Sequence, residues 1–372
     1  MSVLATNAIT DASGGNTTTI NGLTPTVSNM AGRNRIINGD MRIDQRNAGA
    51  SVTPTDGQYT VDRWQARLNQ SSKFSAQQNA GSVTPPEGYT NYLGVTSLSS
   101  YSAVSTDYFG VQQNIEGFNT ADLNWGTANA KAITVSFWVR SSLTGAFPLT
   151  FINDGFARGY VTTYTVNSAN TWEYKTVTIS GDTAGTWTTN NSAGLRLWFT
   201  LGAGSAQAPT PDAWGSFLGM GATGAVNVVG TSGATLYLTG VQLEEGSVAT
   251  PFEHRQYGQE LALCQRYFFK VTGAGRHAVG GNGSLASSYP TIFFPVELRA
   301  VPSFSFSSLS HFYSEAIAGG GAAVVTALSL NAYTSNSGTV SVSTGGGTAG
   351  TGGQLLGIGG GASSWTAWNA EL

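Results

Sequence analysis

Apolar and polar residues alternate along much of the first two thirds of the chain. Ile133, Val135, Phe137 and Val139 interleave with Thr134, Ser136, Trp138 and Arg140. A strand sends successive side chains to opposite faces, so a period of two means one buried face and one mixed face. Leu195, Leu197, Phe199 and Leu201 repeat the pattern, and over residues 173–179 Tyr174, Thr176 and Thr178 oppose Val177 and Ile179. In LYLTGVQL, residues 236–243, the apolar set changes phase. Leu236 and Leu238 precede Gly240, and Val241 and Leu243 follow it. A shift of one residue moves every side chain to the other face, so a β-bulge is predicted at Thr239–Gly240. Turn-forming Gly, Asn and Asp separate the strands, and no long helical pattern interrupts them. The expected class is all-β, with two antiparallel sheets packed as a jelly-roll β-sandwich over 34–253.

The period changes once. Tyr257, Leu261, Cys264 and Phe268 are spaced four, three and four apart, one face of a helix expected within 254–269. A helix this short is marginal alone in water, where roughly 12–15 residues are needed. Its stripe must be covered, and the simplest cover is a copy of itself, with these four residues as an oligomer seam. The spacing alone allows a dimer, a trimer or a tetramer.

Residues 270–372 read as a small C-terminal β-domain. SYPTIFFPVELRAVPSFSF predicts a strand pair broken by Pro290, Pro295 and Pro302, since proline belongs at strand ends and edges. TALSLNAYTSNSGTVSVST predicts a hairpin turning at residues 336–338. The glycine-dense stretch that follows lacks a Gly-X-Y period, and residues 364–372 predict a final strand. At the other end, residues 1–32 carry one charge, Asp11, among Thr, Asn, Ser and Gly. They form an extended N-terminal segment, taken as 1–33.

Composition narrows the function classes. Only 10% of residues are charged, against 11% aromatic, and glycine numbers 49. Much of the surface is then expected to be Ser, Thr and Asn or hidden in interfaces. A net charge of -3 without clustered Lys and Arg gives no footprint for nucleic acid. The single cysteine, Cys264, excludes an intrachain disulfide. No apolar run is long enough to span a membrane, and no secretory signal is expected at the N-terminus.

GVQLEEGSVATPFEHRQYGQELALCQRYF closely resembles a segment of virion proteins of tailed bacteriophages, particularly tail-fibre-like proteins of marine and cyanobacterial phages. NRIINGDMRIDQRNAGASV, TVSFWVRSSLTG and TWEYKTVTISGDTAGTW resemble the same group. The resemblance covers most of residues 1–269 and implies a virion part assembled in the host cytoplasm. It implies a homotrimeric fibre or fibre tip held to other virion proteins by its N-terminal segment, with residues 270–372 as the tip that meets a host glycan or receptor. IINGDMRI and GVQLEEG also look like the first and last strands of carbohydrate-binding jelly rolls, which pair. In some of those a structural Ca²⁺ is held nearby, which makes Asp40 and Glu244 candidate ligands. Calcium takes six to eight oxygens, and only these two are visible. No other cofactor is implied.

Catalytic chemistry is thin. No lysine follows a glycine, so the phosphate-cradling loop is absent, and no GxSxG elbow occurs. His254, His277 and His311 are isolated and form no zinc pair. Cys264 lies on the apolar face of its helix and reads as a small buried hydrophobe. Glycoside hydrolysis needs two carboxyls about 5–10 Å apart. Asp182, Asp212, Glu244 and Glu245 are the candidates, and nothing in the sequence pairs them. A protein without catalytic residues is expected. Sugar binding has better support. Trp125, Trp187 and Trp214 lie in polar loops, where an indole face is free to stack. Trp365 and Trp368, three apart on a strand, divide between core and surface. Trp64, Trp138, Trp172 and Trp198 sit in or near strands and read as packing. Two rival readings stay open: a structural decoration or fibre-shaft protein, and a glycan depolymerase.

Overall fold

The structure is a computed structural model that describes residues 32–280, 287–316, 323–344, 353–357 and 364–372. The N-terminal segment expected over 1–33 lies outside the described residues except for its last two positions, as does most of the glycine-dense stretch 344–360. The chain forms two compact units. The first comprises residues 32–41, Thr53–Gly57 and Ala66–His254; the second comprises Arg42–Val52, Gln58–Gln65 and Arg255–Leu372.

The first unit is a sandwich of two antiparallel sheets. Its strands are β1 (Gln65–Leu68), β2 (Phe74–Gln78), β3 (Leu93–Ser97), β4 (Tyr108–Glu116), β5 (Ile133–Ser141), β6 (Gly145–Ile152), β7 (Arg158–Val166), β8 (Glu173–Ile179), β9 (Ala193–Ala203), β10 (Trp214–Ser216) and β11 (Thr235–Glu245). One sheet runs β1-β4-β9-β6-β7-β10 and the other β2-β3-β11-β5-β8. The alternation predicts the inner faces correctly. Ile133, Val135, Phe137 and Val139 from one sheet and Leu195, Leu197, Phe199 and Leu201 from the other are fully buried. The predicted bulge is present: against β5, the register of β11 shifts between Thr239 and Gln242. Gly240 there has φ +61°, and a Cβ on it would stand 2.6 Å from the Tyr89 hydroxyl. Glycine meets both demands, a left-handed backbone and a side chain lying on it. The first and last segments pair as expected, Arg35 N donating to Leu243 O and Val241 N to Gly39 O, each at 2.9 Å. The Asn34 side chain ties them further, accepting from Leu243 N and donating to Val241 O.

The second unit holds one α-helix and two sheets. The helix, α1, spans Tyr257–Gln265, shorter than the expected 254–269. It ends in a tight turn in which Tyr267 N donates to Cys264 O. Phe268, expected on the helical stripe, instead opens β12 (Phe268–Thr272) and pairs with Asn369. Consecutive aromatics with Val and Thr beyond the turn favour extended backbone. The remaining strands are β13 (Arg276–Gly280), β14 (Ser287–Ser288), β15 (Thr291–Phe293), β16 (Ser303–Phe306), β17 (Phe312–Ala316), β18 (Ala323–Tyr333), β19 (Ser337–Thr344), β20 (Gly353–Gly357) and β21 (Trp365–Asn369). β12, β21 and β16 make a small sheet. The others run β14-β19-β15-β13-β20-β17-β18, and β18 pairs back onto β19. The ring closes into an antiparallel barrel, which leaves few free edges.

The predicted hairpin is β18–β19, although its turn lies at Thr334–Ser337, slightly earlier than expected. The predicted final strand is β21. The predicted pair within 288–306 does not form: β15 joins the barrel on β19 and β13, whereas β16 joins β21. Pro295 and Pro302 stand between them and free each to find another partner.

The chain enters this unit early, through Arg42–Val52 and Gln58–Gln65, although both segments fall inside the 34–253 span expected for the sandwich. Buried Ile43, Val61 and Trp64 help hold them, and ion pairs add to this. Arg63 and Arg46 both bind the Glu371 carboxylate, Arg46 at 2.8 Å. Gln45 donates to Asp62 at 2.5 Å, and Arg46 stacks on the Phe268 ring, 3.7 Å from its centroid.

Candidate functional site

Two loops and a strand of the first unit bring Trp125, Trp187 and Trp214 together; Trp214, expected in a loop, opens β10. The ring centroids of Trp125 lie 4.7 Å from Trp187 and 5.2 Å from Trp214, and the latter two are 5.5 Å apart. All three pairs meet edge to face, the arrangement that aromatic quadrupoles favour. Tyr160 extends the cluster, 5.1 Å from Trp214. The sequence singles out these three tryptophans one by one; their meeting joins residues far apart in the chain.

Each indole is fixed by its own nitrogen. Trp125 Nε1 donates to Lys131 O at 2.7 Å, and Trp214 Nε1 to Ser180 O at 2.8 Å. Trp187 Nε1 lies 3.3 Å from both Asp182 Oδ2 and Ala184 O. The backbone also holds the rings in place. Gly126 N donates to Asp182 O, and β10 sets Trp214 opposite Tyr160 on β7. With all three indole N–H groups used inside the protein, the surface these rings can offer an incoming molecule is carbon. Trp125 is 8% exposed, whereas Trp187 and Trp214 are half-buried and keep surface in solvent.

Two hollows adjoin the cluster. One of about 150 Å³ lies beside Trp125 and Trp187 and is edged by Thr120, Asn124 and Thr188. The other, about 360 Å³, lies beside Trp214 and Phe217 with Val161, Thr210 and Ser216. The larger one is within the usual range for small-molecule sites. Both linings combine aromatic carbon with hydroxyl and backbone groups, and neither includes an ionisable side chain. Burial and the nearby Asp212 charge hold the Tyr160 phenol above its ordinary pKa, so it stays a neutral hydroxyl.

The candidate carboxylates are engaged elsewhere. Asp182 is buried and binds Arg158 through both oxygens, at 2.8 and 2.6 Å. That hydrogen bonding raises the guanidinium pKa further. Glu244 is buried and accepts from Thr250 N at 2.9 Å, Thr250 Oγ1 at 2.6 Å and Gln242 Nε2 at 2.9 Å. Glu245 is exposed on the opposite face and pairs with Lys131 at 3.1 Å. Asp212 is exposed on the loop before Trp214. Asp40 is also buried, and no group of three or more His, Cys, Asp and Glu suited to a metal occurs among the described residues.

In the second unit Trp368 is buried against Phe294 and Phe304, at 5.1 and 4.7 Å. Trp365 is half-buried with the Lys270 ammonium 5.1 Å from its ring centre. The proposed seam is divided: Cys264 and Phe268 are buried within this unit, Leu261 is half-buried and Tyr257 is 56% exposed. Burial raises the Cys264 thiol well above its usual pKa and keeps it protonated.

Sequence reasoning missed Tyr160, Phe217 and Arg158. Tyr160 lies in period two with Tyr164 and Val166 on β7, the one local signal for it; no local pattern marks Arg158 or Phe217.

No known protein family matches the chain, and no curated protein does. Among solved structures, a putative sugar binding protein from Bacteroides thetaiotaomicron is 11% identical. That match covers 57% of this chain and 100% of that one, with a TM-score of 0.34. TmCBM61 in complex with β-1,4-galactotriose is 10% identical over 57% of this chain and 99% of that one, with a TM-score of 0.29. The enzymatically active domain of bacteriophage CBA120 tailspike protein 4 is 9% identical with a TM-score of 0.31. Its match covers 57% of this chain but 21% of its own length.

Proposed function

We propose that this chain is a non-enzymatic adhesion protein of a phage virion, a tail fibre or fibre tip that holds a glycan on the host surface. The observation that carries the glycan reading is the edge built by Trp125, Trp187 and Trp214. Its indole nitrogens are all used internally, Trp187 and Trp214 keep ring carbon in solvent while Trp125 is buried, and the hollow beside Trp214 is ringed by hydroxyl and backbone groups. A sugar ring has the matching chemistry, an apolar C–H face with hydroxyls at its rim. The virion assignment and the trimer come from the resemblance of residues 1–269 to phage tail-fibre-like proteins. Several copies on one particle turn weak single contacts into firm attachment, by roughly 10² to 10⁴.

The absence of catalysis is part of the proposal. Asp182, Glu244 and Glu245 are each committed to a protein partner. That leaves Asp212 without a second candidate carboxyl to work with.

The test is glycan-array and host-cell adsorption binding with the whole chain and with Trp214→Ala. Loss of about ten-fold or more in affinity, about 1.4 kcal/mol, is expected. Undiminished binding by this variant would remove the Trp214 hollow from the site. Light scattering checks the trimer: a mass near three times 38.6 kDa is expected, and a monomer would overturn it.

A further inference from the structure

We infer that Asp212 makes the hollow beside Trp214 accept uncharged sugar units and turn acidic ones away. This rests on the reading of that hollow as a glycan subsite. The hollow's own lining is without ionisable groups. Its ionic character is therefore set at the rim, and the charges there are unevenly compensated.

Arg158, Lys131 and Arg35 each already have a carboxylate. Arg158, at the start of the strand that supplies Gly159 and Val161 to the lining, is held by both oxygens of Asp182. Lys131, whose carbonyl receives Trp125, pairs with Glu245 at 3.1 Å. Arg35 reaches Asp122, beside the smaller hollow, with two hydrogen bonds of 2.8 and 2.7 Å. A ligand carboxylate, sulfate or phosphate would find no unclaimed guanidinium or ammonium among these three.

Asp212 differs. It stands two residues before Trp214 and is exposed, and its carboxylate makes no ion pair among the described residues. The loop holds it in place. Its backbone N donates to Val161 O at 2.7 Å, and its φ of +64° puts it in the left-handed region that aspartate tolerates better than most residues. Its charge reaches the aromatic cluster, where it adds to burial in disfavouring Tyr160 ionisation. Residue 212 lies between Thr210 and Ala213 of the lining and is bonded to Val161 of the lining, so the loop that edges the hollow carries this uncompensated charge. Selectivity by a repulsive group against the wrong ligand is an established device of binding sites. Two like charges about 5 Å apart in a water-exposed mouth discriminate about four-fold, and salt screens the effect.

The experiment is calorimetric or array titration of the full chain against matched pairs of neutral oligosaccharides and their uronic-acid or sialylated counterparts. Wild type, Asp212→Asn and Trp214→Ala are compared at low and high ionic strength. The expected result is weaker binding of the acidic member by about four-fold or more at low salt. Asp212→Asn should bring the ratio toward one, as should high salt. The inference is overturned if wild type binds acidic and neutral members alike in a Trp214-dependent way, or if Asp212→Asn leaves the ratio unchanged. In either case the glycan reading stands. If no neutral or acidic glycan binds and Trp214→Ala changes nothing, the glycan reading and this inference fall together.

Discussion

Asp182 grips Arg158 with both carboxylate oxygens, at 2.8 and 2.6 Å, and the same carboxylate receives the Trp187 indole at 3.3 Å. One buried acid therefore ties a strand end to the aromatic edge. Asp182→Ala would leave the guanidinium without its partner and Trp187 without one of its anchors. Breaking a buried pair costs about 3–5 kcal/mol, and partial exposure of Arg158 favours the lower end, about 3 kcal/mol. Urea unfolding followed by tryptophan fluorescence measures this, and a loss below about 1 kcal/mol would contradict it.

Gly240 sits at the bulge with φ +61°, under the Tyr89 ring. Gly240→Ala is expected to destabilise the sandwich by about 2 kcal/mol or more, from backbone strain and the close approach of Tyr89. Adding Tyr89→Ala removes the contact but not the strain, so it restores stability only in part. Full restoration in a thermal melt would mean that the backbone conformation costs nothing.

Asp62 makes the second unit sensitive to pH. Burial lifts its carboxyl from 3.8 to about 7, while Arg46 and the Gln45 hydrogen bond pull the other way. The folded state keeps a proton that the unfolded chain gives up near 3.8. The stability this contributes is fully present below that value and is lost as pH rises through about 7. The unfolding midpoint of this unit should therefore fall between about pH 4 and about pH 7 in the wild type, and fall less in Asp62→Asn. An unchanged slope in the variant would assign the dependence to another group.

Trp365 and Trp368 should behave differently on truncation. Trp368 is 1% exposed in the apolar core of the second unit, so Trp368→Ala is expected to cost about 3–5 kcal/mol. Trp365 is half-buried, and its truncation should cost less than half as much. Equal losses by chemical denaturation would argue against this division of the two rings.

The inner faces of the sandwich were legible because burial imposes a period of two on residues such as Ile133–Val139 and Leu195–Leu201. The phase slip across Gly240 was legible for the same reason. The helical stripe was legible only in part. Its spacing continued to Phe268, yet the helix stops at Gln265, and nothing in a four-three-four pattern marks the turn that intervenes. The tryptophan edge could be named residue by residue but not assembled, since 125, 187 and 214 are joined by carbonyl acceptors and one carboxylate. Those contacts leave no periodic trace. Residues 42–52 and 58–65 were misassigned for a related reason: arginines that meet Glu371 help fix them, and ion pairs follow no repeat.

The Arg46–Glu371 contact spans 325 residues of sequence, and Arg63–Glu371 spans 308. On a ribosome, both arginines emerge long before their shared carboxylate. Until the last strand is made, the early segments have neither that counter-charge nor the β12–β21 sheet whose Phe268 ring receives Arg46. Such separation is high contact order, which slows folding because the closing loop must be ordered before its contacts form. The second unit therefore closes only once segments more than 300 residues apart have come together.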